Sequence, residues 1–65
     1  MHITLNGSTY ETQAITVEAL VGELGLKRGT VLVEHNGTAL RPDEWKQTAV
    51  QGNDRLEILR IVAGG

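Results

Sequence analysis

The chain has 65 residues, no cysteine and a formal net charge of −2 at pH 7. A chain of this length folds as one small domain, without room for a deep cleft built from several layers. The lack of cysteine excludes disulfides, thiol nucleophiles and cysteine-ligated metal sites, and the negative charge argues against a broad nucleic-acid-binding surface. The sequence shows no signal peptide and no apolar run that could span a membrane. We therefore expect a cytoplasmic protein that binds neither nucleic acid nor a membrane.

The beginning of the chain has the pattern of a β-hairpin. Met1, Ile3 and Leu5 alternate with polar residues, which is typical of a strand with one buried face. Asn6-Gly7 follows at once and favours the positive φ angles of a type I′ turn. The returning strand, over 8–12, is polar enough to lie at the edge of a sheet.

A helix with clear ends is predicted next. Thr16 suits the N-cap position, where its hydroxyl can accept a hydrogen bond from a first-turn N–H. The apolar residues that recur at helical spacing after it are Val17, Leu20, Val21 and Leu24. Gly25 then ends the helix, because glycine readily adopts the left-handed conformation at the position after the C-cap.

The second half of the chain contains further strand patterns and one helical turn. The strands are predicted over 30–35, 38–40 and 55–62, with Asn36-Gly37 as a hairpin turn between the first two. Pro42 cannot continue a strand as an interior residue, so a single turn of helix is expected there. That turn would let Trp45 pack against the core, since so small a core without phenylalanine needs its one large aromatic side chain.

Taken in order, these elements predict an α+β fold of the β-grasp type. The one helix must lie across one face of a mixed sheet of four or five strands, because both need to bury an apolar face. The first and last strands can pair in parallel at the centre of the sheet, since the helix supplies the long crossover. We expect residues 1–62 to form this domain and residues 63–65 to form a flexible tail.

Short motifs are spread over essentially the whole chain. They are Leu5-Asn6-Gly7, Thr16-Val17-x-x-Leu20, Asn36-Gly37, Trp45, Gly52-Asn53-Asp54 and the final Ala63-Gly64-Gly65. In order and spacing they resemble the ThiS sulfur carriers of thiamine biosynthesis, a ubiquitin-like β-grasp family. One departure is the order Arg41-Pro42, since members of that family tend to place proline before arginine.

The resemblance implies that the Gly65 carboxylate carries the chemistry. In such carriers an ATP-dependent adenylating enzyme activates this carboxylate, and a sulfur donor such as a cysteine desulfurase converts it to a thiocarboxylate. The sulfur then passes to thiazole synthase, which builds the thiazole ring of thiamine. The carrier would be a co-substrate and not an enzyme. This sequence has no phosphate-binding loop, so ATP and Mg²⁺ would be bound by the partner and no cofactor by this chain.

The last residues suit such a role physically. Ala63 and Gly64 precede Gly65, and glycine has no Cβ, so the segment can pass through a narrow channel of a partner and adopt the dihedral angles that the channel requires. A thiocarboxylate sulfur held at the end of this thread would react in an effectively intramolecular way once the carrier has docked.

A partner-docking surface is predicted from strand alternation. If Leu56 and Ile58 face the helix, the odd-numbered residues of the last strand face outward. If Val31 and Val33 face inward, Leu32 of the neighbouring strand faces outward too. We name Leu32, Leu59 and Ile61, together with Val62 next to the tail, the outer strip. A contiguous apolar strip that leads to the tail indicates an interface, whereas scattered exposed leucines would not.

The sequence also permits other functions. His2 and His35 could bind a metal ion, but two histidines without cysteine and without a paired acidic ligand make a poor site. The alternatives that stay open are a small subunit of molybdopterin synthase, a ubiquitin-like modifier joined to lysines through Gly65, and a β-grasp module that binds RNA or regulates another protein. The negative charge and the glycines at the end of the sequence disfavour the last of these.

Overall fold

The computed structural model describes residues 1–62, and the predicted flexible tail, Ala63 to Gly65, lies outside the described residues. Within that range the elements are β1 (His2–Leu5), β2 (Ser8–Glu11), α1 (Val17–Glu23), β3 (Val31–His35), β4 (Thr38–Leu40), a 3₁₀ helix (Pro42–Gln47) and β5 (Arg55–Arg60). The strand order is β2-β1-β5-β3-β4, with β1 and β5 parallel at the centre and the other neighbours antiparallel. The predicted β-grasp fold is confirmed.

Both hairpin turns have the predicted geometry. The φ angles are +49° at Asn6 and +84° at Gly7, and they are +50° at Asn36 and +87° at Gly37. Two consecutive positive φ angles are the mark of a type I′ turn, whose twist matches that of the antiparallel strands on either side. The two Asn-Gly pairs therefore set where β1 turns into β2 and where β3 turns into β4.

Helix α1 begins and ends where the sequence predicts. The Thr16 hydroxyl accepts a hydrogen bond from a first-turn N–H at 3.1 Å. At the other end Gly25 has a φ angle of +73°. The Leu26 N–H donates to the Val21 carbonyl at 3.1 Å, and the Gly25 N–H donates to the Gly22 carbonyl at 3.0 Å. These two bonds satisfy carbonyls that the helix would otherwise leave unpaired.

The core lies between α1, the 3₁₀ helix and the inner face of the sheet. Its buried apolar residues are Ile3, Ala14, Val17, Leu20, Val21, Val31, Val33, Trp45, Val50, Leu56 and Ile58. The last strand is shorter than predicted, because β5 ends at Arg60 rather than at residue 62. Arg60 pairs with Val31, the first residue of β3, so the regular ladder has no further partner on that side.

Trp45 is a packing residue, as predicted. It is 2% exposed, and its indole Nε1 has no hydrogen-bond acceptor among residues 1–62. An unpaired buried donor costs about 1–3 kcal/mol. Burying an aromatic ring removes roughly 150–250 Å² from water, which contributes about 4–6 kcal/mol at 25 cal/mol per Å². Packing of the ring therefore outweighs the loss of the hydrogen bond.

The asparagines of the two hairpin turns also hold β5, a role that their turn chemistry does not reveal. Asn6 Oδ1 accepts a hydrogen bond from the Ile58 N–H at 2.7 Å, and Asn6 Nδ2 donates to the Ile58 carbonyl at 3.1 Å. Asn36 Oδ1 accepts one from the Arg55 N–H at 2.8 Å. Each side-chain amide thus acts as the hydrogen-bond partner that the backbone of a neighbouring strand would otherwise provide. Asn36 does so at the start of β5 and Asn6 near its end.

Replacement of Asn6 by glycine is expected to lower the free energy of unfolding by about 1–3 kcal/mol, because the buried Ile58 backbone groups lose both partners. Glycine keeps the positive φ angle at no steric cost, so the turn itself is retained. The matched control is Asn53→Gly, since Asn53 has a φ angle of +70° and its side chain makes no hydrogen bond to another residue of 1–62. Chemical denaturation measures both. Equal stability of the two variants would contradict the role of Asn6.

Candidate functional site

The outer face of the sheet carries exposed leucines where alternation predicts them. Leu32 of β3 and Leu59 of β5 are directly paired across the two strands and are 58% and 56% exposed. Leu56 and Ile58 are buried on the opposite face of β5. The strand phase that defines the outer strip is therefore confirmed for these two residues.

The outer strip continues past the end of β5. The Ile61 N–H donates to the Thr30 carbonyl at 2.8 Å, so the backbone stays attached to the segment before β3 for one residue beyond the strand. Ile61 is 47% exposed and Val62 is 85% exposed. The described part of the chain thus presents apolar side chains up to its last residue. The tail residues Ala63 and Gly64, and Gly65, to whose carboxylate the family resemblance assigns the chemistry, lie outside the described residues.

A polar cluster around Asp54 holds the start of β5, at the end of the strand opposite to the outer strip. His35 Nε2 lies 2.8 Å from Asp54 Oδ2, Asn36 Nδ2 donates to Asp54 Oδ1 at 3.1 Å, and the Gln51 N–H donates to Asp54 Oδ2 at 2.9 Å. Burial raises the pKa of the Asp54 carboxyl, but the hydrogen bonds from these three partners outweigh burial and hold that pKa below its usual value. The cluster ties the β3–β4 turn to β5.

The sequence-based statement that the two histidines lack acidic partners is wrong. His35 pairs with Asp54 at 2.8 Å, and His2 Nε2 lies 3.0 Å from Glu11 Oε1 across β1 and β2. Both pairs depend on strand neighbours that are distant in sequence. Among residues 1–62 no three histidine, aspartate or glutamate side chains come together as a possible metal site. No helix in the same range is long and apolar enough to cross a membrane.

Replacement of Asp54 by asparagine is expected to destabilise the domain by about 1–3 kcal/mol at neutral pH, because a charge-assisted pair becomes a neutral one. A lowered folded-state pKa means that the stabilisation is complete above the unfolded-state value of about 3.9 and is lost as the pH falls through the folded value. The difference between wild type and variant should therefore vanish in acid. Thermal melting between neutral and strongly acidic pH measures it.

The control for this comparison is Asp43→Asn, because the Asp43 side chain is 65% exposed and its ion pair with Arg41 has an N–O distance of 3.4 Å. An exposed pair of that kind contributes at most about 1 kcal/mol. A variant at Asp54 that stays equally destabilised in acid would contradict the role of its ionised carboxylate.

A second polar cluster attaches α1 to β2. The Tyr10 hydroxyl donates to Glu23 Oε2 at 2.7 Å, and the buried Thr12 hydroxyl donates to the same oxygen at 2.9 Å. The hydrogen bond to Glu23 raises the pKa of Tyr10, and the hydrogen bonds from Tyr10 and then Thr12 lower the pKa of Glu23. Thr12 Oγ1 also accepts the Ala14 N–H at 2.9 Å. This cluster orders the loop before α1.

Sequence reasoning missed a groove at the end of the core beside the last residues of β5. We name it the end groove; it has a volume of about 280 Å³ and is lined by Leu5, Asn6, Leu24, Leu26, Val31, Ile58 and Arg60. Alternation along β5 contained part of the signal, because Arg60 follows the inward-facing Leu56 and Ile58 in phase. The position of Leu24 and Leu26 over that strand depends on how α1 packs.

The fold and the exposed strip on its outer face define a ubiquitin-like β-grasp protein. The sequence model of the ThiS family matches residues 3–65, and the chain belongs to that family. The structure is similar to the crystal structure of the thiamine biosynthesis protein ThiS from Geobacter metallireducens, with a TM-score of 0.84, 29% identity and coverage of 100% of both chains.

Two sequence relatives add to this comparison. A thiazole synthase from Paramagnetospirillum magneticum is 39% identical over 66 residues, which cover 100% of this chain and 20% of that protein. The uncharacterized protein ycf40 of Trieres chinensis is 27% identical over 62 residues, covering 94% of this chain and 85% of the relative. This chain thus spans about a fifth of the length of the first relative.

Proposed function

We propose that this chain is a sulfur carrier of thiamine biosynthesis whose Gly65 carboxylate is converted to a thiocarboxylate. The observation that carries the proposal is the match to the ThiS family, which extends through Gly65. The similarity over the whole length of a ThiS crystal structure supports it further, since the two chains are alike in fold and in size.

The proposed chemistry requires two steps that partner proteins perform, which are activation of the carboxylate and transfer of sulfur to it. The Gly65 carboxylate attacks the α-phosphorus of ATP on an adenylating partner, which releases pyrophosphate and leaves an acyl-adenylate. A persulfide on the sulfur donor, such as a cysteine desulfurase, attacks the acyl carbon and displaces AMP. A second thiol of the charging system then cleaves the sulfur–sulfur bond, which leaves the thiocarboxylate on Gly65 and a disulfide on the donor side. The carrier is consumed and recharged as a co-substrate, and ATP and Mg²⁺ are bound by the adenylating partner in the cytoplasm.

Thiazole synthase is the acceptor in this proposal. The relative from Paramagnetospirillum magneticum is named thiazole synthase, yet a segment of it is 39% identical to this whole chain. A carrier-like segment joined to an acceptor enzyme would raise the effective concentration of the sulfur at the acceptor site. A carrier that is not joined to the acceptor attains this high effective concentration only when it docks, so it needs a docking surface.

The outer strip is the surface that we assign to docking. Leu32 and Leu59 are paired neighbours with more than half of each side chain exposed, and Ile61 and Val62 extend the strip toward the tail. Two large apolar side chains side by side in water are a cost to the free protein that burial against a partner removes. An enzyme that binds the strip would therefore hold the chain next to the segment that it must modify.

The proposal is tested by the intact mass of the purified protein after incubation with the adenylating enzyme of the same organism, ATP, Mg²⁺ and a persulfide donor. The expected result is replacement of one oxygen by one sulfur at Gly65, with no change when ATP is left out. An unchanged mass in the complete mixture would contradict the proposal.

The alternative acceptors give different outcomes in a second experiment. Transfer of the sulfur to the large subunit of molybdopterin synthase, and not to thiazole synthase, would place the chain in molybdopterin synthesis. Cellular proteins joined to Gly65 through lysine would instead identify a ubiquitin-like modifier. We expect thiazole synthase alone to discharge the carrier.

A further inference from the structure

The end groove lies on the inner side of the sheet and is separate from the outer strip. Val31 and Ile58 form its buried floor, and Leu5, Leu24 and Leu26 are half-buried around it. Its volume of about 280 Å³ is below the range of roughly 300–1,000 Å³ that is usual for small-molecule sites. The amide of Asn6, which also lines it, already binds the backbone of Ile58. A groove of this size and polarity suits an apolar side chain of a partner better than a cofactor.

Positive charge surrounds one side of this groove. Arg60 lines it directly. The Ile61 N–H donates to the Thr30 carbonyl at 2.8 Å and the Thr30 N–H donates to the Lys27 carbonyl at 3.1 Å, so the turn that bears Lys27 and Arg28 is attached beside the end of β5. These three residues are half of the six lysines and arginines in a chain whose net charge is −2.

None of these three cations forms an ion pair with a carboxylate of residues 1–62. Within residues 1–62 the ion pairs involve only the Met1 amino group, His2, His35 and Arg41 on the basic side. An apolar groove with one cation in its lining and two more on the adjoining turn is complementary to an apolar side chain flanked by carboxylates. The groove also lies beside the end of β5, since Ile58 and Arg60 line it.

We propose that the end groove, with Arg60 in its lining and Lys27 and Arg28 on the turn beside it, is a second docking point that accepts an apolar side chain flanked by acidic residues of the adenylating partner. This inference rests on the proposed function. We assign the groove to the adenylating partner because, in the proposed sequence of reactions, that enzyme has to bind the carrier before any sulfur is attached.

The test is the affinity of the adenylating enzyme for Arg60→Glu, measured by calorimetry at low and moderate salt. Arg60 is exposed, so the variant should fold normally. We expect affinity to fall by about tenfold or more and to depend less on salt, because an attraction becomes a repulsion in the lining of the groove. Lys46→Glu is the matched control: it changes the net charge equally at an exposed position outside the groove, and its affinity should stay within about twofold of wild type.

A second variant, Leu26→Gln, tests the apolar part of the groove with a side chain of similar length. We expect about tenfold weaker binding, and melting curves check that the variant is folded. Equal affinity of Arg60→Glu and Lys46→Glu, or wild-type affinity of folded Leu26→Gln, would overturn the second docking point while wild type still acquires sulfur. Failure of wild type to acquire sulfur would overturn the proposed function, and the docking inference with it. An equal loss of affinity for thiazole synthase would overturn the assignment to the adenylating partner.

Discussion

Deletion of Gly65 is expected to abolish thiocarboxylate formation and to leave the fold intact. Without it the acyl carbon lies one residue closer to the domain, which is about 3.3–3.6 Å of an extended chain and more than an adenylation site can tolerate. The buried core ends at Ile58, so the free energy of unfolding should change by no more than about 0.5 kcal/mol. Intact mass after the complete charging reaction measures the first effect, and thermal melting measures the second.

Ala63→Gly is the matched control for this deletion. It changes the same segment and keeps its length and its carboxylate, so sulfur acceptance should be retained. A protein without Gly65 that still acquires sulfur, at Gly64 or elsewhere, would contradict the assignment of the chemistry to Gly65. Loss of folding in the deletion variant would contradict the view that the core is complete without these residues.

Leu59→Glu and Leu56→Glu should have opposite effects although the two residues lie on the same strand. Leu56 is 0% exposed and Leu59 is 56% exposed. A carboxylate at Leu56 enters the core without a partner and costs several kcal/mol. A domain of this size has only about 3–10 kcal/mol of stability at 0.05–0.15 kcal/mol per residue. We expect Leu56→Glu to be largely unfolded at room temperature.

Leu59→Glu places its charge in water and should change stability by no more than about 0.5 kcal/mol. Its effect should appear in binding, because a partner's apolar surface would have to bury that carboxylate unpaired. Circular dichroism measures folding, and calorimetry with the adenylating enzyme measures affinity. If Leu59→Glu binds like wild type, the outer strip is not the docking surface.

The amino-acid sequence by itself determined the local features of this protein. The Asn6-Gly7 turn depends on residues that tolerate positive φ angles, and the Thr16 cap depends on a hydroxyl placed before the first helical turn. The orientation of Leu56 and Leu59 follows from the two-residue period of a strand. Each of these is decided within a few neighbours along the chain, so a pattern in the sequence is sufficient to predict it.

The position of the outer strip could be predicted for the same reason, but its contiguity could not. Leu32 and Leu59 become direct neighbours only through the register between β3 and β5. Register is set by the packing of the whole inner face, because a shift of one residue would turn every side chain of the strand over. The end of β5 at Arg60 likewise depends on where β3 begins.

Only the tertiary structure decided the polar contacts and the end groove. Asn6 binds the backbone of Ile58, 52 residues away, and Asp54 gathers His35 and Asn36 from a different hairpin. The end groove exists because the end of α1 and the loop after it lie over the last residues of β5. The residues that make such contacts are not separated by a regular interval along the chain, so no local pattern predicts them. Their partners are fixed by how the helix packs on the sheet.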